Sequence, residues 1–306
     1  MITPLALDDD AELDWAYRLK IACEPGPYEG PRRFRSLHRF LPAGDRQWAW
    51  RAGEDGFVVV RADESSPDAR VSIFVDPGRR HRGVGQSLLR TAIDAARQAG
   101  CRTLRGRYSD DDRDATSFAA ATGGAEGWVN LRGLLTMPAQ PVGDSVDGFA
   151  LRSWNDRTPD DLLETLVDAR DAINDAPSAP GLEPDRFTPA RLRELEETVL
   201  RRGVQARLTV ALDPAHRVAA FTELRVGPEQ GALATTEDTA VLAEYRGRGL
   251  ATWIKAESLR WLRAERPDVD QVVTDNAETN TAMLAVNARL GFRTISRWRQ
   301  AILSIR

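Results

Sequence analysis

The stretch Arg246-Gly247-Arg248-Gly249 sets two guanidinium groups and two glycines in consecutive positions, with two carboxylates, Glu237 and Asp238, a short way upstream. A β-type run, Thr239 to Leu242, leads into this turn, and Leu250, Ile254 and Trp261 follow on one face at helical spacing. Between a strand and a helix, such a turn exposes the unpaired backbone N–H groups of the helix N-terminus. The helix dipole there favours negative charge, usually phosphate. Gly249 allows the backbone to approach a ligand with no Cβ in the way, while Arg246 and Arg248 add positive charge beside it.

The same device occurs earlier. Val71 to Val75 is a β-branched run, and it enters Asp76-Pro77-Gly78-Arg79-Arg80-His81-Arg82-Gly83-Val84-Gly85. A helical segment then carries Leu88, Leu89, Ala92, Ile93 and Ala96 on one stripe, with Arg90, Asp94 and Arg97 opposite. Arg80-x-x-Gly83-x-Gly85 aligns with Arg246-x-x-Gly249-x-Ala251 at one offset, 246 − 80 = 166. A period that long indicates a duplicated domain and not a solenoid. At 306 residues the chain has room for two domains of roughly 150 residues each.

The spacing Arg-x-x-Gly-x-Gly/Ala between strand and helix resembles the acyl-CoA pyrophosphate loop of the GNAT superfamily of N-acyltransferases. In the second copy Thr274-Asp275-Asn276 follows, then Asn280-x-x-Met283-x-x-x-Asn287-x-x-Leu290-Gly291-Phe292, similar to that family's later strand and helix. The resemblance covers both halves and matches the tandem arrangement of actinobacterial GNAT acetyltransferases. It implies an α/β chain of two tandem GNAT-like domains, each a mixed twisted sheet flanked by helices. The first domain is expected at residues 1–145 and the second at 146–306, because Pro138 to Ser145 has linker composition.

By the same resemblance acetyl-CoA is the cosubstrate, held in the second half by Val241, Arg246, Gly247, Arg248, Gly249, Leu250, Ala251, Thr252 and Asn280. In the first half the corresponding residues are Val75, Arg80, Arg82, Gly83, Val84 and Gly85. The implied reaction is direct attack of a primary amine on the thioester. It needs a neutral amine, a donor for the developing oxyanion and a proton for the leaving thiolate. A backbone N–H near Val241, freed where two strands part, is expected to serve the oxyanion. Glu237 and Asp238 are the candidate bases. Side chains alternate along a strand, so only one is expected to face the acceptor. The resemblance favours Asp238, and Glu237 serves if the register shifts by one. The bland alternative is that both pair with nearby arginines.

Asn287 stands where many GNATs carry a tyrosine. A carboxamide cannot act as an acid, but it can hydrogen-bond the sulfur or orient a water. Asn280 reads equally as a helix N-cap or a ligand contact. The first half departs from the pattern. Asp112, Ala115, Ala119 and Gly123-Gly124 fall where the second half has Asn280, Met283, Asn287 and Gly291-Phe292. That half is therefore expected to be structural, or to bind CoA without turnover, with catalysis in the second. His81 reads as an incidental loop side chain. In GNAT folds the first helices and their connection wall the acceptor site, so specificity is expected to lie in Asp175 to Phe187.

Other classes are disfavoured. A net charge of −4 gives no nucleic-acid footprint. Two cysteines, Cys23 and Cys101, cannot make a disulfide framework, and no Cys/His cluster has zinc spacing. No apolar run is long enough to cross a bilayer, and Met1 to Asp10 lacks the basic start of a signal peptide, so a cytoplasmic location is expected. A Walker loop is excluded by the missing Gly-Lys-Ser/Thr, and a Rossmann fingerprint by the missing third glycine. The expectation is an N-acetyltransferase acting on a small-molecule amine. A non-catalytic acyl-CoA sensor or a protein N-acetyltransferase is the alternative.

Overall fold

The computed structural model describes residues 1–24, 26–64, 66–138, 143–175, 186–229, 231 and 233–305. Part of the expected linker (139–142) and most of the expected acceptor loop (176–185) lie outside the described residues. Two compact units emerge, Met1–Trp128 with Trp298–Arg306, and Val129–Arg297. The boundary expected at residues 145/146 follows the linker composition, whereas these units follow strand pairing.

In the first unit, β1 (Ile2–Pro4) precedes α1 (Asp10–Cys23), whose N-terminus is capped by Asp9 accepting from the Ala11 and Glu12 amides. Next come α2 (Pro31–Arg39), β2 (Asp45–Ala52), β3 (Gly56–Asp63), β4 (Asp68–Val75), α3 (Val84–Gln98), β5 (Thr103–Ser109) and α4 (Arg113–Ala121). Although Glu24 to Arg33 has loop composition, α2 begins inside it. Pro31 occupies the first helical turn, where its missing N–H costs nothing, and only the described residues before it are loop.

The sheet runs β1-β2-β3-β4-β5, with Trp298–Ser304 of β12 (Arg293–Ser304) antiparallel to β5. Alternation along β3 divides the core. Val58 and Val60 join the cluster under α3, while Phe57 and Val59 join the one under α1. Each such side chain, when fully buried, contributes roughly 1.5–3 kcal/mol.

The second unit repeats the plan. It contains residues 129–136 of β6 (Ala125–Thr136), β7 (Ala150–Asn155), α5 (Leu163–Asp171), α6 (Pro189–Arg201), β8 (Gln205–Leu212) and β9 (Val218–Val226). Then follow β10 (Ala234–Val241), α7 (Leu250–Glu265), β11 (Gln271–Ala277) and α8 (Thr281–Arg289). Its strand order is β7-β8-β9-β10-β11-β6. Among the described residues of each unit, β4/β5 in the first and β10/β11 in the second are the pairs that run parallel, each across a helical crossover. Phe221 and Val210 pack beneath α5, and Ala211, Ala219 and Ala220 beneath Leu250, Trp253 and Ile254 of α7. Among the described residues no helix is long and apolar enough to cross a membrane.

Candidate active site

In both units the parallel pair separates beyond a fixed point. The β10/β11 ladder runs from Ala234↔Val272 to Thr236↔Thr274, and the β4/β5 ladder from Asp68↔Thr103 to Arg70↔Arg105. Beyond these pairs the C-terminal parts of β4 and β10 have no parallel partner among the described residues, leaving room for an added strand-like ligand. The open edge of β10 includes Val241, whose other neighbour is Ala220 on β9.

Each open edge runs into its glycine turn. Gly83 (φ 80°) and Gly249 (φ 88°) are the N-caps of α3 and α7, in the left-handed region that glycine adopts without penalty. A Cβ at Gly83 would meet nothing within 4 Å, so the backbone there is open to a ligand. Arg80 and Arg246 play one shared role. Each turns its Nε to the carbonyl five residues back, Val75 at 3.5 Å and Val241 at 3.1 Å. Their outer nitrogens also have partners. Arg246 donates to Asp175 at 2.5 Å, and Arg80 to Asp112 and Asp114 at 3.2 and 3.1 Å. The first arginine of each motif thus shapes the turn, leaving its helix amides to face an anion. Arg82 and Arg248 are exposed, and Arg248 lies over the Phe149 and Tyr245 rings. Tyr245 in turn donates to Asp213 at 2.8 Å; with the backbone N–H of Arg217 as the largest cause, that carboxyl is held down at about 2.

The two acids of β10 come together in a way that simple alternation does not provide. Between Thr236 and Thr239 the strand advances three residues while β9 moves two, from Leu224 to Thr222, which is a β-bulge. Because the bulge breaks alternation, both carboxylates join one arginine cluster, and the expectation that they face opposite ways does not hold. Arg170 of α5 donates to Asp238 at 3.2 Å and to Glu223 at 2.6 Å. Arg225 donates to Glu223 at 2.6 Å and lies 3.9 Å from Glu237. Burial alone would raise the Glu223 carboxyl, but Arg225 and Arg170 outweigh it and hold the group down at about 2. Asp238 keeps 44 % of its side chain exposed, against 33 % for Glu237.

Asn280 caps α8, accepting from the Met283 amide at 3.2 Å. Asn287 is buried and donates to Asn276 at 2.6 Å, while its Oδ1 has no hydrogen-bond partner among the described residues. Leu250 and Thr252 are buried under the second turn, and Ala251 is half-buried.

The first unit holds a cavity of about 480 Å³ between its turn, β5 and α4, bounded by Val75, Arg80, Gly83, Val84, Gly85 and Asp112 among others. His81 adopts φ 60° where the second copy has Gly247 at φ 77°, and its Nε2 lies 3.0 Å from Asp114. Asp112 and Asp114 correspond, at the offset 280 − 112 = 168, to Asn280 and Ala282, so two carboxylates face the first turn and none from these positions faces the second.

Several site residues were invisible as motifs. Glu223 and Arg225 are charges inside an otherwise apolar strand run, Arg170 is a charge on the apolar arc of α5, and Lys255 is one of only two lysines. An ionisable residue at an inward position was the available signal.

The model of the acetyltransferase (GNAT) family matches residues 15–123 and 170–292. The chain is 29 % identical over 247 residues to mycothiol acetyltransferase of Salinispora arenicola, covering 79 % of this chain and 75 % of that protein. Its fold matches a tandem GNAT protein from the clavulanic acid biosynthesis pathway with a TM-score of 0.84 at 26 % identity, over 100 % and 98 % of the two chains. A GCN5-related N-acetyltransferase of Sphaerobacter thermophilus matches with a TM-score of 0.75 at 16 % identity, over 100 % and 96 %.

Proposed function

The chain belongs to the GNAT family of acetyltransferases, and we propose that its second unit transfers an acetyl group from acetyl-CoA to a primary amine of a small molecule. The observation that carries this reading is the parting of β10 from β11 beyond Thr236/Thr274, immediately beside the Glu237/Asp238 bulge and above the Gly249 turn. Two of the reaction's three requirements, a base for the amine and a donor for the oxyanion, meet along that strand. Acetyl-CoA supplies the activated acyl group as a thioester. The α7 amides opened by Gly249 fit its diphosphate, with Arg248, Leu250, Ala251 and Thr252 around them. Gly247 and Arg246 shape the approach, and the unpaired edge of β10 near Val241 offers a fixed backbone donor where the oxyanion develops.

Asp238 is assigned the base, acting on the amine directly or through a water. It is the more exposed of the two acids, and Arg170 fixes its position. Glu237, nearer to Arg225, shapes the charge of the acceptor side. Asn287 orients the thiol end, since a carboxamide has no proton to give. The likeness to a mycothiol acetyltransferase supports a small acceptor.

Acetyl-CoA turnover against an amine panel, followed through free thiol, tests the reading. Thiol release with an amine, lost in Gly249→Glu, supports it. Binding of acetyl-CoA without thiol release for any acceptor supports an acyl-CoA sensor instead. The first unit's cavity beside Gly83 favours coenzyme binding there as well, without turnover.

A further inference from the structure

Lys255 lies on the inward side of α7, 3 % exposed, and among the described residues no hydrogen bond or ion pair reaches its Nζ. Its nearest recorded partner is the Phe292 ring, 5.7 Å from Nζ to the centroid. A buried ammonium with only an aromatic face for company is expensive. At the repeat offset, 255 − 166 = 89, the first unit has Leu89, which shows what packing alone would place there.

The register locates this amine. Leu259, one turn along the same face of α7, packs in one cluster with Ala234 of β10 and Val272 of β11. The helix of a parallel crossover runs back against its strands, so one turn toward the α7 N-terminus corresponds to two residues toward the strand C-termini. Those residues are Thr236 and Thr274, both buried and the last pair before the strands part. A second observation points to the same place. Asn287, whose main-chain carbonyl accepts from the Phe292 amide at 3.0 Å, keeps its buried Oδ1 without a partner. Two buried polar groups, one donor and one acceptor, thus flank Phe292 beside the opening in the sheet.

We propose that Lys255 is the proton donor to the departing coenzyme A sulfur, the role that Asn287 cannot fill. The amine nitrogen bonds to the thioester carbon, the C–S bond breaks with its electron pair going to sulfur, and the Lys255 ammonium gives that sulfur a proton. The proton lost by the attacking amine goes to Asp238, and Lys255 regains its own from water after release. Its depressed proton affinity, caused by desolvation, suits a donor at neutral pH. This assignment rests on turnover in the second unit.

Because Lys20 and Lys255 are the only lysines, a Lys20→Arg protein labelled with 13C at lysine carries one reporter signal. Coenzyme A should shift that signal and hold Lys255 protonated to higher pH, whereas desulfo-coenzyme A should shift it far less. In Lys255→Met, kcat for acetyl-CoA should fall roughly 100-fold with KM nearly unchanged. Calorimetry reports coenzyme binding in the second unit as heat lost in Gly249→Glu. If that heat is present but the signal answers both ligands equally, or neither, the assignment of Lys255 is wrong and the binding reading stands. An undiminished kcat in Lys255→Met likewise overturns it. If Gly249→Glu removes no heat, the placement of the coenzyme fails and Lys255 falls with it.

Discussion

Glu223 accepts from Arg170 at 2.6 Å with both side chains about 95 % buried, at 4 and 5 % exposure. This ion pair is the hub of the acceptor side, because Arg170 also reaches Asp238 and Glu223 also holds Arg225. Removing Glu223 takes away the buried carboxylate that Arg170 and Arg225 share and leaves them only the more exposed Asp238 and Glu237. Glu223→Gln should therefore cost about 3–5 kcal/mol in urea denaturation at pH 7. The pair also fixes a pH dependence. The folded carboxyl, at about 2, lies below its ordinary 4.5, so its stabilisation is complete above 4.5 and is lost as pH falls toward 2. Glu223→Gln should lose that part of the wild-type acid slope.

Asp238 and Glu237 share the cluster but not the expected role. Asp238→Asn keeps the shape and a partner for Arg170 while removing the proton acceptor, so kcat should drop on the order of 100-fold. Glu237→Gln should change kcat less than tenfold by the same comparison, since its carboxylate lies farther from solvent and 3.9 Å from Arg225. Thiol release with a reactive amine measures both. Equal losses in the two variants would move the base assignment to the pair.

Much of this was legible in the chain itself. The Arg-x-x-Gly-x-Gly/Ala repeat marked both turns, because left-handed glycines at helix N-termini leave a sequence signature. Asn280, which the sequence leaves open between cap and ligand contact, is the cap of α8. What escaped depends on contacts between distant segments. The bulge at Glu237/Asp238 appears only when β9 is laid beside β10, and it reverses the inference from alternation. Arg170 meets Glu223 across 53 positions, and no local periodicity announces such a pairing. The membership of residues 129–136 and 298–304 in their sheets is likewise a matter of pairing, not of composition.

The two glycine caps should separate the functions of the units. Gly249 at φ 88° and Gly83 at φ 80° both resist a side chain, which costs on the order of 1–2 kcal/mol in that conformation. A glutamate adds a negative charge where the helix amides await an anion. Gly249→Glu should abolish thiol release, while Gly83→Glu should leave kcat within twofold and remove any coenzyme equivalent bound by the first unit. Calorimetric stoichiometry paired with turnover distinguishes them. Loss of turnover in Gly83→Glu with retention in Gly249→Glu would place catalysis in the first unit.

Lys255 gives the sharpest stability test. Desolvation lowers its proton affinity from 10.5 to about 7, so the unfolded chain holds this proton over a range where the folded one releases it. The destabilisation is full below about pH 7, shrinks as pH rises, and is gone above 10.5, amounting to about 5 kcal/mol at its largest. Lys255→Met removes the charge and places an apolar side chain of similar length against Phe292, Leu259 and Ala256. The variant should be more stable than the wild type by several kcal/mol at pH 6.5, and the gap should close steadily toward pH 10. Paired urea denaturations across that range measure it. A gap that does not change with pH would mean that the folded protein holds this ammonium as readily as water does, through a partner that the inward face of α7 does not provide.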